Sequence, residues 1–386
     1  MGPDVGVYVH VPWCERVCPY CDFAVLAARS VPLELEERYV DALVAELDAR
    51  RERFEGRALS SLYLGGGTPS LLSAGSVARI ADAVRAAFPP EQSPEITLEV
   101  NPSSLERARL PGFHAAGVDR ISLGAQSFDD ATLKRLGRAH RADAVYATLD
   151  AIRATGFRSL SLDLIFGAPG QTRASLDADL DALIAVAPSH VSAYELTLEP
   201  GTPFGEAAAR GRLALPDEDL LASMLARVEA RLADAGYRRY EISSYARPGC
   251  EAVHNRRYWE RRPVLGLGMG AVSTDPPDAA HAHGVRRANP RELARYLADP
   301  AGCGEIEVLS AETARGEAIF LALRTARGVD AARFAAEFGA PPRHFFDREI
   351  ERLRRDELLC EEQESGDLRL TPRGRMIADS VFEAFV

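Results

Sequence analysis

The feature that most constrains the fold of this 386-residue chain is a strand-and-helix unit that recurs six times in roughly its first 250 residues. Each unit opens with a short run rich in β-branched residues and continues into a segment whose apolar residues recur at helical spacing. Six strands that alternate with helices predict a parallel sheet that is closed or nearly closed into a barrel. The strand runs read VGVYVHVP, LSSLYLGGG, EITLEVNP, RISLGAQS, SLSLDLIFG and HVSAYELTL. Helices are predicted near residues 33–47 and 77–88, in a stretch that ends by Gly117, and near residues 130–137, 142–156, 176–186 and 218–236.

Polar and glycine-rich residues stand at the end of every predicted strand. In a parallel barrel the C-terminal ends of the strands share one face, so these residues converge on one mouth. The pattern therefore predicts a functional site there. The first strand is followed by the three cysteines. The next five strands have at their ends, in order, the GGGTPS segment, Glu99 and Asn101, Gln126 and Ser127, Asp163 with the GAPGQT segment, and Tyr194 with Glu195.

Three cysteines follow the first strand at spacings of four and three, namely Cys14, Cys18 and Cys21. So close a trio in a long chain indicates a metal site rather than a disulfide framework. A structural zinc ion would need a fourth ligand, for which His10 is available, although it lies inside an alternating strand. A cubane iron–sulfur cluster held by three thiolates would instead leave one iron open to a small molecule. We assign no role to the remaining cysteines, Cys250, Cys303 and Cys360.

Charge and hydropathy exclude several classes of partner. The formal net charge is −11, which argues against a nucleic-acid or acidic lipid surface, because phosphates attract clustered Lys and Arg. No run of about 20 apolar residues is present to span a bilayer. The first residues also lack the charged, apolar and small-residue regions of a signal peptide. We therefore expect a cytoplasmic location in which the thiols stay reduced.

Several motifs, in order along nearly the whole chain, resemble a known family. CERVCPYC has the CxxxCxxC spacing of radical S-adenosylmethionine (SAM) proteins. YVHVPWC, GGGTPS, EVNP, GAQSF, LGRAH and DLIFGAPGQT resemble the branch that contains oxygen-independent coproporphyrinogen III dehydrogenase. The resemblance implies an α/β fold, a partial (β/α)6 TIM-like barrel with a smaller winged-helix-like domain. It also implies a [4Fe-4S] cluster whose open iron is chelated by SAM, and cleavage of SAM by one electron to a 5′-deoxyadenosyl radical.

The same resemblance assigns roles to individual residues. Cys14, Cys18 and Cys21 match the cluster ligands. The chemistry of the other matching positions is compatible with SAM, because carboxylates accept hydrogen bonds from ribose hydroxyls or an ammonium group and arginine binds carboxylates in bidentate fashion. The positions that match SAM contacts are Tyr8, Tyr20, Gly66, Gly67, Thr68, Glu99, Gln126, Arg138 and Asp163.

Within this branch, haem chaperones differ from the dehydrogenases at positions where this sequence is informative. The dehydrogenases carry a further cysteine two positions after the third, where Phe23 stands here, and a longer segment before the first cysteine. The HNRRYW stretch matches the HNxxYW motif of the chaperones. The resemblance thus implies a chaperone that binds haem and delivers it through transient contacts to respiratory membrane proteins. The alternative is a coproporphyrinogen III dehydrogenase or another radical SAM enzyme.

The HNRRYW stretch itself supports two interpretations. An imidazole beside aromatic rings suits an apolar macrocycle that carries an iron, so we expect His254 to contact haem, with Tyr258 and Trp259 against the porphyrin. In the structural alternative, His254 anchors a polar loop that two buried aromatic residues cap.

The pattern changes after about Val308. Three helical stretches, and then a short strand that enters a final helix, resemble the C-terminal winged-helix-like domain of the family. From Glu305 onward there are twelve Arg and no Lys against seventeen Asp and Glu, so the charge for DNA binding is lacking. We expect this domain to pack over the barrel or to meet a protein. The expected domains are a barrel core at 1–236, a connecting segment with the HNxxYW motif at 237–306 and the C-terminal domain at 307–386.

Overall fold

The structure, a computed structural model, describes residues 3–302 and 304–386, so Cys303 lies outside the described residues. Its elements alternate as the six units require. The strands are β1 (Asp4–Val11), β2 (Trp13–Cys14), β3 (Leu26–Ala27), β4 (Ala58–Gly66), β5 (Glu95–Val100), β6 (Arg120–Gln126), β7 (Ser159–Phe166), β8 (His190–Glu195), β9 (Arg238–Arg239), β10 (Ser244–Ala246), β11 (Val264–Leu267), β12 (Val272–Asp275), β13 (Val285–Ala288), β14 (Glu305–Val308), β15 (Leu359–Glu361) and β16 (Leu368–Leu370).

The helices confirm every helical stretch predicted in the barrel and add others. They are α1 (Leu33–Arg50), α2 (Ala74–Ala87), α3 (Ser104–Ala115), α4 (Asp130–Arg135), α5 (Ala142–Thr155), α6 (Arg173–Val186), α7 (Pro203–Ala209), α8 (Glu218–Asp234), α9 (Val253–Trp259), α10 (Leu293–Ala298), α11 (Ala311–Leu323), α12 (Ala331–Phe338), α13 (Pro342–Arg355), α14 (Pro372–Met376) and α15 (Ala378–Phe382).

Six parallel strands, in the order β1-β4-β5-β6-β7-β8, form the centre of one large sheet. Side chains alternate between its two faces. In β1 the residues Val5, Val7 and Val9 enter the hydrophobic core under the helices, while Tyr8 and His10 lie on the other face. This second face is the inside of the partial barrel, and it is polar.

The sheet does not close, because further short strands extend it at both edges. The β11 strand pairs with β1 in parallel and continues into β12, β13 and β14, while β10 and β9 follow β8. Strands β9 to β13 lie within 237–306, which the sequence predicts only as a connecting segment, and β14 begins in this segment and ends at Val308. These added strands are two to four residues long, too short to show a period of two.

The C-terminal region has its own small core, made of side chains from Ile319 to Phe385. Helices α11, α12 and α13 match the three predicted ones. The predicted short strand is β16, which forms a hairpin with β15, a strand that was not predicted. The predicted final helix is broken into α14 and α15, because Ile377 leaves the helical region of backbone angles. Across the described residues, no helix has both the length and the apolar character needed to traverse a bilayer.

Candidate functional site

The three clustered cysteines lie in the loop that follows β1, at the C-terminal end of the barrel strands. Cys14 belongs to β2, which pairs with β3, and Cys18 and Cys21 lie in the turn between these short strands. Backbone hydrogen bonds close the loop, from Leu26 N to Pro12 O (2.7 Å) and from Cys21 N to Cys18 O (3.1 Å). All three side chains are half-buried. The loop therefore presents three sulfur donors at the mouth of the barrel.

Arg138 brings a positive charge to this loop. Its Nη1 donates to Cys18 Sγ at 3.4 Å. Burial raises the pKa of Cys14 to about 11 and also raises the pKa of Cys21. Coordination to a metal cation deprotonates a thiol outright. The donor set therefore fits a cationic metal centre, which supplies the charge that buried thiolates need.

The arrangement disfavours a structural zinc ion. Within the described ranges, no group of three or more His, Cys, Asp or Glu side chains is placed to hold one metal ion. His10, the fourth ligand that zinc would need, is bonded at both ring nitrogens, to Tyr8 OH (3.0 Å) and to Ala24 O (2.9 Å). In a cubane each thiolate binds a different iron, so the sulfur atoms need not converge on one point. The donors fit a cluster better than zinc.

The glycine-rich turn after β4 runs against the cysteine loop. Gly67 N donates to Val11 O (2.8 Å) and Thr68 N donates to Trp13 O (2.7 Å). A Cβ at Gly67 would lie 2.6 Å from Trp13 O, and Gly66 has a φ of +105°, so both positions need glycine. The turn therefore brings backbone rather than side chains to the edge of the mouth.

Asn101 joins this turn to Arg138. Its Nδ2 donates to Thr68 Oγ1 (2.8 Å), and its Oδ1 accepts a hydrogen bond from Arg138 Nη2. The same Nη2 also donates to Gly124 O at 3.1 Å. Sequence reasoning named Asn101 only as a strand-end residue and gave it no binding role. Its place in the EVNP motif was the available signal.

Two side chains at the mouth each have a buried polar atom that forms no hydrogen bond with any described residue. Gln126 Oε1 and Arg138 Nε are buried and have no hydrogen-bond partner. Gln126 also has a φ of +65°, a left-handed conformation that costs a residue other than glycine about 1–3 kcal/mol. An open acceptor, an open donor and local strain together fit a ligand that carries both donors and acceptors.

Two carboxylates lie deeper, on the inner face of the barrel. Glu99 accepts a hydrogen bond from Tyr63 OH (2.8 Å), and burial raises its pKa to about 7. Asp163 accepts from Ser122 Oγ (3.1 Å) and from Ser161 Oγ (3.3 Å), and burial raises its pKa as well. Sequence reasoning did not identify Tyr63, although its position two residues before the glycine turn places it inside the barrel.

The two predicted tyrosines differ in position. Tyr20 lies in the cysteine loop beside Cys18 and Arg138, and burial raises its pKa. Tyr8 lies inside the barrel with its ring near that of Tyr63 (6.3 Å between centroids). The predicted residues thus form two layers. One is at the mouth, with the cysteines, Tyr20, the glycine turn, Gln126 and Arg138, and the other is below it, with Tyr8, Glu99 and Asp163.

His254 lies next to the lower layer, toward the N-terminal end of the barrel. It stands on α9, is only 1 % exposed, and its ring centroid is 6.4 Å from that of Tyr8. Its Nδ1 is bonded to Ser61 Oγ (2.9 Å) and its Nε2 to Tyr258 OH (3.1 Å), while its ring stacks on Tyr63 (5.2 Å). Burial lowers its pKa to about 3. Both ring nitrogens of His254 are hydrogen-bonded in this structure, and its expected contact with haem stays a prediction.

The aromatic residues of the HNRRYW stretch also fail to form one flat surface. Tyr258 points to His254, inside the barrel. Trp259 instead faces the C-terminal region, where Arg324 lies 4.8 Å from its ring. The two rings face different neighbours in this structure, and the expected contact of Tyr258 and Trp259 with a porphyrin stays a prediction. Residues 253–259 form helix α9 at the N-terminal end of the barrel, not the polar loop of the structural alternative.

Comparisons with known proteins agree with this architecture. The model of the Radical SAM superfamily matches residues 8–183, and that of the HemN C-terminal domain matches residues 309–377. A protein of Lactococcus lactis named haem chaperone HemW is 33 % identical over 99 % of this chain and 97 % of its own length. The chain belongs to the HemW family.

Two further members of the HemW family have similar names. The haem chaperone HemW of Mycobacterium tuberculosis is 35 % identical over 98 % of this chain and 94 % of its own length. That of Escherichia coli is 40 % identical over 76 % of this chain and 77 % of its own length. Among solved structures, coproporphyrinogen III oxidase (HemN) from Escherichia coli superimposes with a TM-score of 0.83 at 24 % identity, over 99 % of this chain and 90 % of that one. This similarity shows that HemW-family and HemN chains share the radical SAM fold.

Proposed function

We propose that this protein is a haem chaperone that binds a [4Fe-4S] cluster and SAM, and that it delivers haem to respiratory membrane proteins. The observation that carries the proposal is the similarity over almost the whole chain to proteins named haem chaperone HemW. We also propose a cytoplasmic location, because three clustered thiols stay reduced there. The alternative, a coproporphyrinogen III dehydrogenase, has support from a structural neighbour whose low identity bears on the fold alone.

We propose that Cys14, Cys18 and Cys21 hold the cluster. When bound, the cluster supplies one electron and an open iron to which SAM can bind. Arg138 donates to Cys18 Sγ, and its charge offsets part of the negative charge of the thiolates. The exposed Phe23, at 61 %, stands two positions beyond Cys21, where the dehydrogenases carry another cysteine.

We propose that the layer around the mouth binds SAM. Gly66, Gly67 and Thr68 form the turn that packs against the cysteine loop and borders this ligand site. The open Oε1 of Gln126 can accept from an ammonium group, and the open Nε of Arg138 can donate to a carboxylate. Tyr20 lies beside the same arginine. Below them, Glu99 and Asp163 can accept from ribose hydroxyls, and Tyr8 lies on the same inner face of the barrel.

A metal analysis tests the cluster. Protein purified without oxygen and reconstituted should hold about four irons per chain and change its EPR spectrum when SAM is added. Cys21→Ser should remove both properties, whereas Cys250→Ser should keep them. Stoichiometric zinc without iron uptake after reconstitution would establish the structural alternative.

A turnover assay separates the chaperone from the dehydrogenase. The reconstituted protein is incubated without oxygen with SAM, dithionite and coproporphyrinogen III, and in parallel is loaded with haem and mixed with a haem-free respiratory acceptor. We expect haem transfer and no protoporphyrinogen. Formation of protoporphyrinogen would contradict a purely chaperone function, and binding of no haem at all would remove the proposal.

A further inference from the structure

A cavity of about 390 Å³ lies between the edge of the barrel sheet and the C-terminal region. Its walls come from α8, β9 and β10 on the barrel side and from the end of α11, β15, β16 and α14 on the other. None of its lining residues belongs to the layer around the cysteines. The cavity is thus a separate feature of the molecule, to which the proposed function gives no role.

Hydrogen-bond donors without partners gather in this cavity. Tyr245, only 2 % exposed, has a hydroxyl that no described residue satisfies. Arg324 Nε and Arg375 Nε are likewise buried, and within the described residues neither has a hydrogen-bond partner. All three side chains line the cavity. Leaving a buried donor unsatisfied costs about 1–3 kcal/mol, so three in one place call for an acceptor.

The charge of the cavity is positive. Four arginines line it, Arg239, Arg324, Arg369 and Arg375, and Glu229 is the carboxylate among its described lining residues. Glu229 bonds Arg239, and its Oε1 lies 3.6 Å from Arg375 Nε, which is an ion pair but not a hydrogen bond. One carboxylate cannot neutralise four guanidinium groups.

Aromatic rings hold Arg324 in position. Its guanidinium carbon lies 4.8 Å from the Trp259 ring centroid and 5.4 Å from that of Phe382. Stacked in this way the guanidinium loses little further freedom when it binds an anion, because the planar group is already oriented. Trp259 of the HNRRYW stretch therefore supports the cavity rather than the barrel interior.

We propose that this cavity binds a phosphate group, either as inorganic phosphate or as a phosphate monoester. Three donors without partners, on residues that line one cavity, and an excess of positive charge suit the oxygens and the negative charge of phosphate better than a carboxylate. Burial raises the pKa of Tyr245, so its hydroxyl stays a donor at neutral pH. Leu323, Leu370 and Tyr237 give the rest of the cavity an apolar wall, against which the organic part of an ester can pack.

Ordered water is the competing explanation for the open donors. Water can accept from Tyr245 and from both arginines, but it brings no negative charge to offset the guanidinium groups. A water-filled cavity would therefore show no saturable response to phosphate, whereas a phosphate site would. The difference can be measured on the full chain.

The test is calorimetric titration of the reconstituted protein with inorganic phosphate at fixed ionic strength, repeated with ribose 5-phosphate and with succinate. We expect saturable binding of phosphate and none of succinate. Tyr245→Phe and Arg375→Gln should each weaken phosphate binding about tenfold, since each loses one hydrogen bond to a charged group. Tighter binding of ribose 5-phosphate than of phosphate identifies an ester as the ligand, and the reverse identifies inorganic phosphate.

Two matched controls complete the design. Tyr146→Phe removes the hydroxyl of a tyrosine on α5 that is 45 % exposed and outside the cavity, and Arg373→Gln removes the same charge as Arg375→Gln from the same helix at a residue outside the cavity. Both should bind phosphate as the unaltered chain does. Thermal melting without phosphate should show that Tyr245→Phe is folded, because the lost hydroxyl has no partner among the described residues. Absence of saturable phosphate binding, or equal weakening in variants and controls, would overturn the proposal, whatever the iron and haem content of the same samples.

Discussion

Two arginines, one at each end of the barrel, differ in how completely their nitrogens are satisfied. Arg257, at the closed N-terminal end, is 0 % exposed and donates to Asp4 Oδ2 (3.1 Å), Ser60 Oγ (2.6 Å) and Pro263 O (2.7 Å). Arg138, at the mouth, donates to a cysteine sulfur and keeps a buried Nε without a partner among the described residues. The nitrogens of Arg257 find their partners within the protein, whereas Arg138 keeps a donor open, as the proposed SAM site requires.

The same contrast holds for the residues around each arginine. At the closed end, His254 uses both ring nitrogens and its backbone N donates to Glu95 Oε1 (3.2 Å). At the mouth, Gln126 is strained and has an unsatisfied acceptor. In barrels of this kind the C-terminal face carries chemistry and the N-terminal face carries stability. Variants at the mouth should therefore affect binding, and variants at the closed end should affect folding.

The largest expected effect is on the cluster. Cys18→Ser should lower the iron content from about four per chain to background, because a hydroxyl is a poor replacement for a thiolate on iron. Haem binding and the fold should remain, as measured by the Soret band and circular dichroism. Cys360→Ser changes an exposed cysteine in the C-terminal hairpin and serves as the control. Full iron content in Cys18→Ser would place the cluster elsewhere.

At the closed end, Arg257→Leu should lower the free energy of unfolding by about 3 kcal/mol, because the variant leaves Asp4 and two carbonyl groups without their buried donor. Urea denaturation measures this. Arg262→Leu is the matched control, since Arg262 also bonds Asp4 but is 38 % exposed, and it should cost less than about 1 kcal/mol. Equal losses of unfolding free energy in the two variants would show that burial of the arginine does not add to the stability of this end.

His254→Ala tests whether this histidine stabilises the closed end of the barrel or binds haem. We expect the free energy of unfolding to fall by about 2–3 kcal/mol, because the variant loses two side-chain hydrogen bonds and a ring stack. Haem titration of the folded variant should be unchanged. His281→Ala, a partly exposed histidine, is the control. A weakened or shifted Soret band at matched folding would place His254 in the haem site.

Acid should destabilise the closed end through the same histidine. The pKa of His254 is lowered by burial to about 3 in the folded chain, against 6.5 for an ordinary histidine. Between these values the unfolded chain binds one more proton, so stability is present above about pH 6.5 and is lost as the pH falls toward 3, by roughly 1.4 kcal/mol per unit. Denaturation at several pH values should show a smaller slope for His254→Asn than for the unaltered chain. Equal slopes would contradict a buried neutral His254.

The six strands, their helices and the mouth of the barrel could be predicted from the sequence because each rests on a local pattern. Val5, Val7 and Val9 alternate with polar residues, and the cysteines and glycines stand at strand ends. The strands β9 to β14 could not be predicted, because each is only two to four residues long and owes its existence to pairing with the edges of the barrel.

His254 shows a second limit of sequence reasoning. Its residue type suits both a metal ligand and a buried hydrogen-bonding group, and only the fold shows that it lies opposite Ser61. The charge of the C-terminal region shows a third limit. A net excess of acidic residues argues against a polyanion over the whole surface, yet Arg324 and Arg375 meet in one cavity. Both arrangements join residues that are far apart in the chain.

The smallest expected change in stability is at the mouth. Gln126→Met keeps the length of the side chain but removes the unsatisfied Oε1, so the free energy of unfolding should change by less than about 1 kcal/mol. SAM binding, measured by equilibrium dialysis on the reconstituted protein, should weaken about tenfold if that oxygen accepts a hydrogen bond from the charged ligand. Gln92→Met, in the exposed loop before β5, should alter neither quantity. A Gln126→Met variant that loses stability but binds SAM normally would remove the contrast between the two ends, because Gln126 would then act as His254 does.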